Sequence, residues 1–296
     1  MKIDYNSPSA LKALLEERGL AMQKKFGQNF LVNPHARKEI VSLLELSEGD
    51  LVWEIGPGIG NMTGDLLASG ARLSAFEIDR GFIATLHDIF AEEEASGRFT
   101  IIEGNVLKTW RKAAQDTAAI KLFGNLPYNI AASFIADTIC CRKSFARCVF
   151  TVQKEVAERM YAAPTTKAYS SFSVLCQWLY DISGGIELAP GNFWPRPNVA
   201  SKAVLFVPKQ KPFSCSNPQL FVKLVHTLFS QRRKTIVNNI KALLPSGVSG
   251  RDFLKEAGIS ETERAENLPV SDFILLSEML NSVTLSKGLQ DDAGRD

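Results

Sequence analysis

The chain has 296 residues, 45% hydrophobic and 22% charged, enough for a full apolar core and predicting one large domain followed by a smaller one. Thirty-four Lys and Arg against 32 Asp and Glu leave a net charge of +2, too mild to mark a nucleic-acid binder, so such a function must rest on local basic clusters. No apolar run approaches the ~20 residues of a membrane span, and Met1-Lys2-Ile3-Asp4 opens no signal segment, so a cytoplasmic protein is expected.

The elements follow in chain order. Ser7-Pro8 opens a helix over 9–18, and 23–31 reads as a loop. Ile40, Val41, Leu43 and Leu44 recur at helical spacing over 34–46 until Ser47-Glu48-Gly49-Asp50 breaks the pattern. Short apolar strands then alternate with helical segments: strands over 51–55, 73–78, 100–102, 120–123, 148–152, 182–188 and 201–207, and helices over 62–68, 82–94, 131–139, 154–160 and 171–178. This alternation predicts a parallel sheet covered by helices on both faces. Lys209-Gln210-Lys211-Pro212 punctuates the chain, and helical spacing without strand runs follows over 219–229, 235–244, 251–256 and 271–279. The expected organisation is an α/β domain over 1–208, a helical domain over 212–285 and a disordered polar tail over 286–296.

The five cysteines (Cys140, Cys141, Cys148, Cys176, Cys215) are odd in number and form no Cys-x-x-Cys pair, so free thiols are expected. His35, His87 and His226 are far apart with no ligand-spaced neighbour, and no metal site is expected.

Two motifs carry chemistry. In Glu54-Ile55-Gly56-Pro57-Gly58-Ile59-Gly60 the glycines sit on the first strand-to-helix turn, where backbone can approach a nucleoside cofactor. Glu77, at the end of the second strand, can accept hydrogen bonds from ribose hydroxyls, while Asp79 suits a helix N-cap. Asn105, after the third strand, can accept from an adenine amino group. Nicotinamide cofactors use the same loop, but the fourth strand ends in Asn125-Leu126-Pro127-Tyr128, which suits a flat base and its amine rather than hydride transfer. The lone pair of an adenine or cytosine amino group is delocalised, so transfer to it needs acceptors that hold its hydrogens. The Asn125 side-chain oxygen and the Leu126 or Pro127 carbonyl can do this, and Tyr128 can stack on the ring. Phe193, in Asn192-Phe193-Trp194-Pro195-Arg196-Pro197, offers a second aromatic wall. Trp194 is expected to cap the sheet edge and Phe30 to serve packing.

These residues, with Lys25-Phe26-Gly27-Gln28-Asn29-Phe30-Leu31 and Phe229-Ser230-Gln231-Arg232-Arg233-Lys234-Thr235-Ile236, resemble the ribosomal RNA adenine dimethyltransferases over about residues 23 to 245. The basic segment is similar to that of the family's bacterial small-subunit branch. The resemblance implies a Rossmann-like class I methyltransferase sheet, a small all-helical C-terminal domain, S-adenosylmethionine as donor, and dimethylation of two adjacent adenosines near the 3′ end of 16S rRNA. It also implies a role in small-subunit assembly; a monomer is expected. It puts cofactor contacts at Asn29, Leu31, Gly56, Glu77, Asn105 and Asn125, and target-base contacts at Asn125, Leu126, Tyr128 and Phe193, to which the motifs themselves add Gly58 of the glycine loop and Pro127 of the turn. RNA contacts fall on Lys25, Arg232, Arg233 and Lys234. One position departs from the pattern, since the family usually has Asp where this chain has Asn105. The alternatives are a large-subunit adenine methylase of the macrolide-resistance type and a non-catalytic assembly or transcription factor on the same fold.

Overall fold

The computed structural model describes residues 3–20, 22, 29–116, 120–126 and 128–293. Helix α1 (Pro8–Glu17) starts where Ser7 accepts the Ala10 N–H at 3.3 Å and Pro8 fills a first-turn position that needs no donor. Its buried Leu11, Leu14 and Leu15 pack with Ile59 and Phe82. Inside the segment read as a loop lies a two-residue strand, β1 (Phe30–Leu31), antiparallel to β8 (Phe193–Trp194). Strands this short exist only through their partner and leave no periodic trace. Helix α2 (Pro34–Ser42) is capped by Asn33, whose side chain accepts from His35 and Ala36.

The main sheet comprises β2 (Leu51–Ile55), β3 (Arg72–Glu77), β4 (Phe99–Glu103), β5 (Lys121–Asn125), β6 (Arg147–Gln153), β7 (Tyr180–Leu188) and β9 (Ser201–Pro208), in the order β4-β3-β2-β5-β6-β9-β7. Pairing is parallel from β4 to β6, but β9 runs antiparallel to β6, so the sheet is mixed rather than wholly parallel. Apolar runs reveal buried strands and not their direction, and an antiparallel edge on a parallel sheet is common. The crossovers are α3 (Thr63–Ala68), α4 (Arg80–Ile89), α5 (Ala91–Ala95), α6 (Val106–Asp116), α7 (Tyr128–Cys140) and α8 (Lys154–Met160). One core holds Val52, Leu73, Ala75, Phe123 and Val149 beneath Ile40, Leu66 and Leu67. Trp53 instead meets Phe76 and Phe145 edge-on, with ring centroids 5.0 and 5.5 Å away. Burial on both faces explains why β2 reads as apolar at every position but Glu54.

The chain forms two compact units, but not by a cut at 208: Ile139–Arg142 and Glu158–Asp181 join Lys209–Asp296 in the second. Helix α9 (Ser171–Leu179) therefore belongs with α10 (Pro218–Phe229), α11 (Ile236–Ile240), α12 (Gly250–Glu256) and α13 (Val270–Ala293). Trp178 of α9 packs against Phe221 of α10 at 4.5 Å, and Phe229 stacks on Phe273 at 5.7 Å. Helix α13 continues through Ala293, where the polar composition suggested a disordered tail.

Candidate active site

From β2 the chain turns to β3 and β4 on one side, and from β5 it proceeds to β6 on the other. Outside the carboxyl ends of two such neighbouring strands a crevice opens, the usual ligand site of an open α/β sheet. Both motifs end there. A Cβ added to Gly56, after β2, would lie 3.8 Å from the carbonyl oxygen of Asn125, the last residue of β5.

The loop after β2 is held by its glycines and by Glu77. Gly58 has φ 61° and its missing Cβ would stand 2.9 Å from the Phe30 ring, so a side chain is opposed by both conformation and space. The Gly58 N–H donates to Glu77 Oε2 at 3.1 Å, while the Ile78 and Asp79 N–H groups donate to Oε1 at 2.8 and 2.9 Å. Burial pushes the Glu77 carboxyl up from its ordinary value despite these three donors. A carboxylate has about four acceptor sites, so capacity for ribose hydroxyls remains. Asp79 caps α4, accepting from Gly81 and Phe82 at 2.9 and 3.3 Å.

Asn105 begins α6, a helix the sequence reading missed. Its Oδ1 accepts the Leu107 N–H at 3.0 Å and its carbonyl accepts from Lys108 and Thr109, which makes it the N-cap. Gly104, just before it, donates to the Glu77 carbonyl at 2.7 Å and so ties the two candidate cofactor residues together. Asp caps as well as Asn and is a stronger acceptor when ionised. Asn105→Asp is therefore expected to keep the α6 cap and leave the melting temperature unchanged.

At the second motif, Asn125 Nδ2 donates to the Asn29 carbonyl at 3.0 Å. A carbonyl only accepts, so this bond fixes the carboxamide and leaves Oδ1 as the acceptor. Leu126 follows with its side chain buried and its N–H bonded to the Thr151 carbonyl at 3.1 Å. Pro127 and Lys25 lie outside the described residues, and so does the side chain of Tyr128, the first residue of α7. Phe193, expected as a second aromatic wall, is only 5% exposed and belongs to the core cluster with Leu31 and Leu188. Pairing with Leu31 across β1 and β8 places it there. Phe30 packs, meeting Phe82 edge-on at 6.0 Å and stacking on Trp194 at 6.3 Å.

Several residues beneath the site carried no assigned role in the sequence. Glu54 is 1% exposed in the middle of β2, accepting from Thr63 Oγ1 at 2.7 Å. Burial, with Glu77 and Asp65 nearby, drives its carboxyl up to about 8. A lone carboxylate inside an apolar strand was the available signal. Arg37 is buried on α2, where Nε meets Asp65 at 2.7 Å, Nη2 meets Asn6 at 2.9 Å and Nη1 meets the Leu31 carbonyl at 3.3 Å. Asn61 reaches the same carbonyl at 3.0 Å, so two donors already occupy Leu31. Tyr5 bonds the Ile59 carbonyl at 2.9 Å, and burial pushes its phenol up. No sequence pattern marks Arg37, Asn61 or Tyr5.

In the second unit, Arg232, Arg233 and Lys234 are exposed on the turn before α11. Arg232 is engaged, with Nε on Glu266 at 2.7 Å and Nη2 on the Lys167 carbonyl at 2.8 Å. Arg233 and Lys234 enter no ion pair among the described residues.

The sheet order, the glycine loop after β2 and the buried acid ending β3 define a Rossmann-like class I methyltransferase. Known proteins narrow this class: the model of the ribosomal RNA adenine dimethylase family matches residues 19–282. The chain belongs to that family. It is 46% identical over 281 residues to the ribosomal RNA small subunit methyltransferase A of Treponema denticola, covering 94% of this chain and 96% of that one. Identity to the protein of the same name from Borreliella burgdorferi is 39% over 284 residues, covering 95% and 97%. A dimethyladenosine transferase structure from Plasmodium falciparum matches with a TM-score of 0.73 at 25% identity, over 85% of this chain and 97% of that one. The 23S rRNA methyltransferase ErmE matches at 0.61 and 18% identity over 85% and 99%, which shows the shared fold alone.

Proposed function

We propose that the protein transfers methyl groups from S-adenosylmethionine to the N6 amino groups of two adjacent adenosines near the 3′ end of 16S rRNA, acting on the small ribosomal subunit in the cytoplasm. The observation that carries this reading is the carboxamide of Asn125, pinned through Nδ2 to the Asn29 carbonyl so that Oδ1 stands as an acceptor at the switch point. S-adenosylmethionine supplies an electrophilic methyl group on a sulfonium. The residues present fit it: Gly56 and Gly58, both at positive φ, bring the backbone of the turn to the end of β5, Glu77 keeps acceptor capacity for the ribose, and Asn105 stands beside it for the adenine. Asn125 Oδ1 and the backbone carbonyl of Leu126 or Pro127 hold the hydrogens of the target amine and favour a pyramidal nitrogen. Tyr128 is the residue assigned to stack on the base, with Phe193 packed in the core behind β1.

Relatives named for the small subunit reach 46% identity across nearly the whole chain, whereas the large-subunit enzyme shares only the fold, so the macrolide-resistance alternative is not favoured. The direct test incubates the protein with radiolabelled S-adenosylmethionine and, separately, undermethylated small and large subunits, followed by nucleoside analysis. Dimethyladenosine confined to the small subunit is expected. Label on the large subunit, or none despite binding, would overturn the reading.

For RNA, Arg233 and Lys234 of the second unit, and Lys25 of the first, supply phosphate contacts. Replacing Arg233 and Lys234 with Ala should weaken small-subunit binding and reduce the salt slope of log K by about two. Arg232→Ala should cost stability as well, because Glu266 and the Lys167 carbonyl lose their shared donor. Filter binding from low to high salt, with a thermal melt of each variant, separates the two effects.

A further inference from the structure

Thr151 lies on β6, 2% exposed, and its Oγ1 is a buried side-chain oxygen with no hydrogen-bond partner. Buried hydroxyls are seldom left so, because an unmade bond costs the full desolvation of the group. Its surroundings are set by register. Thr151 pairs with Asn125 across the parallel β5–β6 ladder and with Ala203 across the antiparallel β6–β9 ladder. Paired residues of neighbouring strands project from the same face of a sheet. Thr151 therefore stands beside Asn125 at the carboxyl end of the sheet, over the core that contains Phe123, Val149, Ala203 and Phe193. Its backbone is already joined to the motif, the Leu126 N–H donating to the Thr151 carbonyl.

The neighbour has the complementary need. Asn125 makes its one recorded side-chain bond through Nδ2, to the Asn29 carbonyl. Oδ1, the atom that must face the target amine, takes no donor among the described residues. One side thus holds a hydroxyl hydrogen without an acceptor, and the other an amide oxygen with two lone pairs to fill. The strands that carry both are fixed by the sheet and the carboxamide is pinned through Nδ2, so the orientation of the Thr151 side chain decides whether they meet.

Resting on the proposed adenine methyl transfer, we infer that Thr151 is a positioning residue: its hydroxyl donates to Asn125 Oδ1 in the reacting site. That bond and the Asn29 carbonyl then hold the carboxamide from both ends, leaving the second lone pair of Oδ1 for the N6 hydrogen. Thr151 does not touch the base. It fixes the plane of the group that does, and this matters most in the transition state, where the geometry at nitrogen is most demanding.

The test compares Thr151→Val, which keeps the shape and removes the hydroxyl, with Thr151→Ser, which keeps the hydroxyl. Single-turnover and steady-state methyl transfer to undermethylated small subunits are measured with a thermal melt of each protein. In Thr151→Val, kcat is expected to fall about tenfold while KM for S-adenosylmethionine and for the subunit moves less than about twofold. Thr151→Ser is expected to stay within about twofold of wild type in kcat even if its melt is lower. Wild-type kcat in Thr151→Val overturns the inference, as does an equal loss in both variants that follows the melting temperatures, which is the signature of core packing. Failure of the wild-type protein to transfer methyl groups at all would remove the underlying reading and the inference with it.

Discussion

Asn125→Ala is expected to lower methyl transfer by about a hundred- to a thousandfold, the scale seen when a preorganised polar group at a reacting centre is deleted. The size follows from how completely the side chain is dedicated. Its Nδ2 is held by the Asn29 carbonyl, so the amide cannot turn to offer the oxygen elsewhere, and the next residue is anchored through the Thr151 carbonyl. Alanine removes the acceptor and also leaves the Asn29 carbonyl without this donor. Binding of the small subunit should persist within about threefold, since the basic side chains proposed to meet phosphates lie elsewhere. The measurement is single-turnover transfer of radiolabel beside filter binding of the same variant. Loss of both together would mean that Asn125 holds the fold of the loop, and near-normal transfer would remove it from the chemistry.

The sequence made Asn125 legible because a turn-forming tetrapeptide at the end of an apolar strand is a local pattern. The same holds for β2, whose apolar run Val52-Trp53-Glu54-Ile55 is bounded by Asp50 and Gly56 and appears in the structure as Leu51–Ile55. What escaped was of three kinds. Helix α6 carried its signal, with Asn105 as cap and Val106, Trp110 and Ala113 at helical spacing, but Glu103-Gly104-Asn105 also reads as a turn, and the turn reading hid the helix behind it. The β1–β8 pair joins residues more than 160 positions apart through two residues on each side, and no local pattern specifies that. The placement of α9 with the second unit likewise depends on a distant contact, Trp178 against Phe221. Site residues divide similarly. Glycines and strand-end carboxylates are readable because conformation restricts them, whereas Arg37 looks like any charged helix residue until tertiary structure surrounds it.

Glu54 leads to the second large effect, a loss of stability as pH rises. An ordinary glutamate titrates near 4.5, and that of the folded protein is driven up to about 8, chiefly by burial and further by Glu77 and Asp65, against the hydrogen bond from Thr63. Below the lower value the group is protonated in both states and contributes no pH dependence. Between the two values the unfolded chain has released its proton and the folded one retains it, so each added unit of pH favours unfolding by up to about 1.4 kcal/mol. Above the upper value both are ionised and the slope vanishes. Glu54→Gln keeps an oxygen for the Thr63 hydroxyl and has no proton to lose. Denaturant unfolding at about pH 5 should show the variant equal to or slightly less stable than wild type, because its amide adds a buried donor. At about pH 8.5 it should be more stable, by several kcal/mol at most. Parallel stability profiles for the two proteins would show that Glu54 is already ionised at neutral pH, with water or a cation supplying what burial removes.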